Sequence, residues 1–171
     1  KKKNLRIVSA LEETNKDNFS IKSVAGGFLY QKKDMNYNEL DELALMTAKI
    51  PTDKEYKALK LGWKLVKYVK SNAIVIADNH QALGIGAGQM SRIDATKIAI
   101  RKVSEAGLNL MGSIMASDAF LPFEDCVELA AKAGISAIIQ PGGSVKDKVV
   151  IDKANELDVA IVFTGIRHFL H

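Results

Sequence analysis

From Pro51 onward the apolar residues recur with two distinct periods. Over residues 53–70, Tyr56, Leu59, Trp63, Val66 and Val69 fall three or four positions apart between lysines, which predicts an amphipathic helix with its lysines outward. Thr52 and Glu55, just after the proline, form a capping-box pattern at its start. Residues 73–77 and 82–86 are short apolar runs split by Asp78-Asn79-His80-Gln81, the pattern of a hairpin. Three helix-strand units follow. Ser91 with Asp94 caps a helix running to Gly107, residues 123–132 form another ending at Gly134, and Ser144 with Asp147 opens a third in which Val150, Ala154 and Leu157 share one face. Strands are expected at 113–116, 135–139 and 159–163, the last two as near-continuous apolar runs buried on both faces. This order predicts an α/β fold, a three-layer α/β/α sandwich around a mixed sheet.

Residues 1–50 are less regular. Short strands are expected at 5–8 and 26–30, separated by the polar stretch 12–18, and a short helix at 38–47. No repeat or low-complexity linker interrupts the chain, so residues 1–171 are expected to form a single domain, long enough to bury a core without disulfides or metal. With 47% hydrophobic and 26% charged residues and no apolar run near the roughly 20 residues a bilayer span needs, a soluble globular protein is expected, and no membrane partner. The single cysteine, Cys126, rules out an intrachain disulfide and suits a reducing compartment, so the cytoplasm is expected. Lys1 to Lys3 precede no apolar signal core, and a start without methionine suggests a processed chain or a piece of a longer one.

Lys and Arg exceed Asp and Glu by 24 to 20, a net charge of +4. Residues 1–70 hold 15 basic against 9 acidic side chains, and residues 71–171 hold 9 against 11. The excess lies in lysines, without the arginine cluster or aromatic ladder that tracks a nucleic-acid backbone, so no nucleic-acid partner is expected.

In such a sheet ligands bind where strands end and helices begin, because helix amino-termini offer unpaired N–H groups. Three junctions here are unusual. Residues 84–92, Gly-Ile-Gly-Ala-Gly-Gln-Met-Ser-Arg, lack the third glycine of a dinucleotide fingerprint, and their glycines are equally explained by a tight turn. Arg92, in the first helical turn, opposes the helix dipole; this points to an anionic ligand partner, and the fold is not expected to depend on it. In residues 117–125, Phe120 and Phe123 are either core or a face for a flat ring, and Asp125 is either a dipole-favoured carboxylate or a ligand contact. Residues 140–144, Gln-Pro-Gly-Gly-Ser, read as a turn with a serine cap. No metal-ligand spacing and no nucleophile with a nearby base is visible.

The helix-hairpin-helix order resembles the zinc nucleoside deaminases. Gln89-Met90-Ser91 and Pro122-Phe123-Glu124-Asp125-Cys126 stand where their H-x-E and P-C-x-x-C signatures would be, so the fold is expected to be cytidine-deaminase-like without the zinc site. More specifically, residues 70–75, 84–93, 117–125, 140–144 and Phe163-Thr164-Gly165-Ile166-Arg167-His168-Phe169 resemble the carboxy-terminal half of the aminoimidazole carboxamide ribonucleotide (AICAR) transformylase, the domain joined in one bifunctional enzyme to inosine monophosphate (IMP) cyclohydrolase. The resemblance implies transfer of a formyl group from the co-substrate 10-formyltetrahydrofolate to AICAR in purine synthesis. It implies nucleotide contacts at Asn72, Arg92, Phe120 and Arg167 and folate contacts at Ile93, Asp125, Ser144 and Val145. It also suggests a homodimer, and a monovalent cation near Ser71, Asp118 and His171. The family's catalytic lysine-histidine pair has no counterpart, since no lysine precedes a histidine in this chain. The catalytic residues are therefore expected outside it, and the alternative is a non-catalytic nucleotide-binding or assembly subunit.

Overall fold

Neighbouring segments fall into two units, residues 1–36 and 37–171, where the sequence shows no linker. The computed structural model describes residues 4, 6, 8, 9, 19–34, 40 and 43–170. In the first unit β1 (Phe19–Val24) and β2 (Gly27–Lys32) pair antiparallel, from Phe19↔Lys32 to Val24↔Gly27, with both strands exposed along their length. The cross-strand pairs put Phe19, Ile21, Phe28 and Tyr30 on one face, where the Phe19 and Tyr30 rings stack 4.6 Å apart. The strand expected at 26–30 is β2. The strand expected at 5–8 lies largely outside the described residues, and the partner of β2 is β1.

In the second unit the elements run β3 (Ala44–Leu45), α1 (Asp53–Val66), β4 (Ile74–Ala77), β5 (Ala82–Gly86), α2 (Arg92–Glu105), β6 (Ile114–Ser117), α3 (Asp125–Lys132), β7 (Ala137–Gln140), α4 (Asp147–Glu156) and β8 (Ala160–Phe163). The sheet order is β3-β8-β7-β6-β4-β5. Strands β6, β7 and β8 are parallel, while β4 runs antiparallel to β5 and β6, and β3 antiparallel to β8. The sheet is therefore mixed, as expected. Alternation along β4 sends Ile74 and Ile76 into a core shared with α2, α3 and α4, and Val75 and Ala77 into a second core under α1, with Leu59, Trp63 and Val66. Helices on both faces complete the three-layer α/β/α sandwich.

Local signals account for most boundaries. The Thr52–Glu55 capping box forms, and α1 ends before the expected residue 70 because Tyr68 and Val69 turn to i−3 carbonyls that tighten the chain toward β4. Ser91 caps α2 by accepting the Asp94 N–H at 3.2 Å. The Ser144 hydroxyl accepts instead from Lys146, and α4 starts at Asp147, whose carboxylate takes the N–H groups of Gly143 and Ser144 at 2.7 and 3.2 Å. The helix expected at 38–47 is corrected over its described part. Ala44 and Leu45 form an edge strand, since the outer edge of β8 needs partners: the Met46 N–H reaches Ile161 O at 2.9 Å, and Thr47 Oγ1 accepts the Ile161 N–H at 2.9 Å.

The glycines of β5 prove to have a packing role rather than a turn role. A Cβ on Gly84 would lie 2.3 Å from the Ala99 carbonyl oxygen, and one on Gly86 would lie 1.9 Å from that of Ala95. Both oxygens are α2 backbone, so only glycine lets α2 lie this close to the strand. Gly86→Ala is expected to cost about 3 kcal/mol or more in a thermal or denaturant melt. Gly27→Ala, with nothing within 4 Å of its added carbon, is expected to stay within about 0.5 kcal/mol.

Candidate functional site

Because β4 is antiparallel to β6, the residues entering β4 stand beside those leaving β6, and Ile74 is opposite Ser117. The amino-terminus of α2 arrives at the same point. Here Arg92, only 8% exposed, meets Asp118, which is fully buried. Its Nη1 donates to the Asp118 carboxylate and, at 3.1 Å, to Ser117 Oγ; its Nη2 donates to Asn72 Oδ1 at 2.9 Å. Asp118 also accepts from Ser71 Oγ and from the Ala73 N–H at 3.2 Å. The expectation for Arg92 is thus corrected: the partner that offsets the helix dipole is a buried carboxylate of the same chain, which would be left uncompensated without the arginine.

Beside this ion pair opens a cleft of about 460 Å³. Asn72, Ser91 and Arg92 form part of its lining, Phe120, Pro122 and Phe123 another part, and Arg167 and Phe169 complete it from the segment after β8. Six of the expected contacts, Asn72, Arg92, Ile93, Phe120, Asp125 and Arg167, share this lining. Ser144 and Val145 do not. Val145 is fully exposed, and its loop reaches the cleft through Lys146, whose Nζ lies 4.5 Å from the Phe123 ring centre. Met90, Cys126 and Phe169 also line the cleft; they fall in the stretches singled out in the sequence but carry no expected contact there.

The polar lining is partly engaged already. Asn72 Nδ2 donates to the carbonyls of Gln89 and Met90 at 2.9 and 3.3 Å while its oxygen takes Arg92, so it retains acceptor capacity rather than donors. Arg92 has used three of the five N–H donors of a guanidinium, and its charge is matched by Asp118. Arg167 is exposed and has no carboxylate partner among the described residues; its guanidinium lies 5.1 Å from the Phe169 ring centre. Within the lining it is the cation open to an anion, with exposed Lys146 beside it over the Phe123 ring. Asp125 accepts the Cys126 N–H at 2.8 Å at the start of α3.

Burial pushes the Cys126 thiol up to about 12, with the neighbouring Asp125 charge acting in the same direction, so it is a protonated wall group rather than a nucleophile. Neither described histidine lines the cleft: His80 sits in the β4–β5 turn and His168 is buried. Ser71 donates its hydroxyl to the Asp118 carboxylate, and His171 lies outside the described residues. The pair does not form an open cation cradle. Asp118 is occupied by Arg92, Ser71 and Ala73, and Ser71 Oγ also accepts the Leu170 N–H at 3.2 Å. Among the described residues no group of three or more His, Cys, Asp or Glu is placed to hold a metal ion, and no helix is long and apolar enough to cross a membrane.

The family model of the AICARFT/IMPCHase bienzyme matches residues 1–102. The chain belongs to this family. It is 50% identical over 172 residues to the bifunctional purine biosynthesis protein PurH of Lysinibacillus sphaericus, 52% over 171 to that of Halalkalibacterium halodurans and 47% over 171 to that of Aquifex aeolicus. These alignments cover 99–100% of this chain but 33% of each relative, so the chain spans about a third of their length. Among solved structures, it is similar to a diaminohydroxyphosphoribosylaminopyrimidine deaminase/5-amino-6-(5-phosphoribosylamino)uracil reductase from Thermotoga maritima (TM-score 0.43, 16% identity, 61% of this chain and 33% of that one). It is also similar to the dCMP deaminase of cyanophage S-TIM5 (TM-score 0.45, 18% identity, 64% of this chain and 98% of that one).

Two outcomes follow from this geometry. Arg92→Ala leaves Asp118 charged and buried without its partner, and is expected to destabilise the fold by about 3–5 kcal/mol in a chemical melt, with Arg92→Lys recovering part of the loss. Alkylation of native Cys126 by iodoacetamide at pH 8 is expected to be at least about 100-fold slower than in denaturant, because so little thiolate is present in the fold.

Proposed function

We propose that this chain is the carboxy-terminal half of the AICAR transformylase part of the bifunctional enzyme, and that its cleft holds AICAR beside 10-formyltetrahydrofolate. The observation that carries this reading is the division of the cleft lining between an exposed cation, Arg167, and a ring-lined wall of Phe120, Phe123 and Phe169. A ribonucleotide has the matching parts, a phosphate for Arg167 and a flat imidazole for an aromatic face. The remaining donors of Arg92 and the free acceptor capacity of Asn72 suit a carboxamide, which both accepts and donates. Ile93 and Asp125 offer an apolar contact and an acceptor to the folate ring, with Ser144 and Val145 beyond the cleft meeting more distant parts of the same molecule.

In the transfer, the exocyclic amine of AICAR attacks the formyl carbon, the bond from that carbon to the folate N10 breaks, the amine loses a proton and N10 gains one. This chain binds and orients. Among the described residues the cleft lining holds no histidine or lysine, and its one carboxylate, Asp125, is given to the folate on this reading, so the base is assigned to residues elsewhere in the longer protein or across a symmetric dimer. The same lack of a base also favours a second reading, a nucleotide-binding subunit without catalysis. On the leading reading the protein works in the cytoplasm, on small molecules.

The test is formyl transfer and ligand titration with the full-length protein that carries this chain. Transfer to AICAR is expected, and Arg167→Ala is expected to raise KM for AICAR at least about tenfold with a smaller change in kcat, as for loss of one charged hydrogen-bond partner. The 171-residue chain alone is expected to show no turnover. Binding of IMP but of neither AICAR nor folate at this cleft would put the chain in the cyclohydrolase part and overturn the proposal. Binding of AICAR without any transfer by the full-length protein would favour the non-catalytic reading.

A further inference from the structure

The segment after β8 is held at three levels. Near the strand, the Thr164 N–H reaches Gln140 O at 3.0 Å and the Gly165 N–H reaches Pro141 O at 3.1 Å. Farther on, the Ser71 N–H donates to Leu170 O at 2.9 Å and the Leu170 N–H to Ser71 Oγ at 3.2 Å. Between them stands His168, the one fully buried residue of 164–170, at 1% exposure. Its N–H donates to the Asp118 carbonyl at 2.9 Å, and its ring lies 4.5 Å from the Trp63 ring of α1, tilted by 44°. Its neighbours on both sides, Arg167 and Phe169, are exposed and line the cleft. In an extended stretch successive side chains point to opposite sides, so fixing the inward residue fixes where the outward pair stands.

We propose that His168 is a positioning residue of the cleft: seated against Trp63, it holds Arg167 and Phe169 in the wall and thereby sets affinity for the anionic end of the ligand without touching it. The inference rests on the reading that Arg167 meets the phosphate of AICAR. Arg167 itself makes no ion pair among the described residues, so its position is inherited from the backbone that carries it. That backbone between residues 166 and 170 is tied to the core through the His168 ring and through the Asp118 and Ser71 hydrogen bonds. Asp118 thus serves twice, its carboxylate fixing Arg92 and its carbonyl fixing the backbone next to Arg167.

The experiment uses the full-length protein with His168→Ala, His168→Phe, His168→Leu, Arg167→Ala and the His168→Ala/Arg167→Ala double variant. The probes are AICAR and its dephosphorylated nucleoside. His168→Ala is expected to weaken AICAR binding about tenfold and nucleoside binding less than twofold, the size of loss that a small displacement of a binding group produces. His168→Phe, which keeps a ring against Trp63, is expected to restore most of the affinity. His168→Leu, which keeps volume without a stacked ring, is expected to fall between the two and serves if the alanine variant does not fold. In the Arg167→Ala background His168→Ala is expected to add nothing. Equal losses for nucleotide and nucleoside, an additive double variant, or normal AICAR binding by both His168→Ala and His168→Leu would make His168 a core residue only. If Arg167→Ala leaves AICAR binding unchanged, the reading of the cleft fails instead. Amide exchange at His168 and Leu170 then decides the positioning role, with unchanged protection in the His168 variants overturning it.

Discussion

The buried contact between Arg92 and Asp118 is the constraint from which the cleft is built. Neither group could be held at that depth alone, because an uncompensated charge out of water costs several kcal/mol. Together they also satisfy Ser117, Asn72, Ser71 and the backbone at Ala73, so the end of β6, the start of β4 and the first turn of α2 are fastened at one point. A helix amino-terminus is a poor place for an arginine unless an anion is near. Here the anion is supplied from the end of β6, two strands over from the β5 that precedes the helix, and β4, paired with both, brings the two ends together.

The sheet explains why the rest of the lining collects at the same end. The parallel strands β6, β7 and β8 finish at one edge, so the loops at 118–124 and 141–146 and the segment at 164–170 leave it side by side. Gln140 ties two of them, its side-chain oxygen accepting the Leu121 N–H at 2.6 Å. On the other side of the ion pair, Gly84 and Gly86 let α2 sit directly on β5, which sets how far its first turn, and so Arg92, lies from the sheet. Packing distance between helix and strand is in this way converted into the position of a guanidinium.

Much of this was legible in the sequence where a signal is local. The capping box at Thr52, the cap at Ser91, the hairpin across 78–81 and the apolar runs at β7 and β8 each rest on residues within a few positions of one another, and the α/β order follows from them. The gaps are non-local. β3 exists to satisfy the edge of β8, and Ala44 and Leu45 carry no strand pattern of their own. Asp118 is 26 positions from Arg92, so the sequence exposes an arginine in an odd place without its partner, and an external anion becomes the natural guess. Ser144 read as a helix cap and as a folate contact, yet a turn at 145–146 keeps it off the cleft lining and leaves the start of α4 to Asp147.

The pairing of Arg92 with Asp118 has a consequence for how charge is distributed at the site. With Arg92 neutralised by Asp118, the cleft is less positive than two arginines suggest, and among the described residues its unpaired positive charge lies on Arg167 in the lining and on Lys146 beside Phe123. The two side chains differ in mounting as well as in charge. Arg92 stands on a helix locked to the sheet, so it presents donors in a fixed place whether or not a ligand is bound. Arg167 stands on an irregular segment whose neighbour His168 is anchored in the core, its ring tilted against Trp63 of a helix from the opposite layer and its N–H on the Asp118 carbonyl. A rigid, neutralised donor suits discrimination by hydrogen bonding, whereas an exposed cation on an irregular segment suits capture of charge. On the proposed reading the cleft divides recognition from attraction, and Asp118 is common to both because its carboxylate holds the first arginine and its carbonyl holds the segment that carries the second.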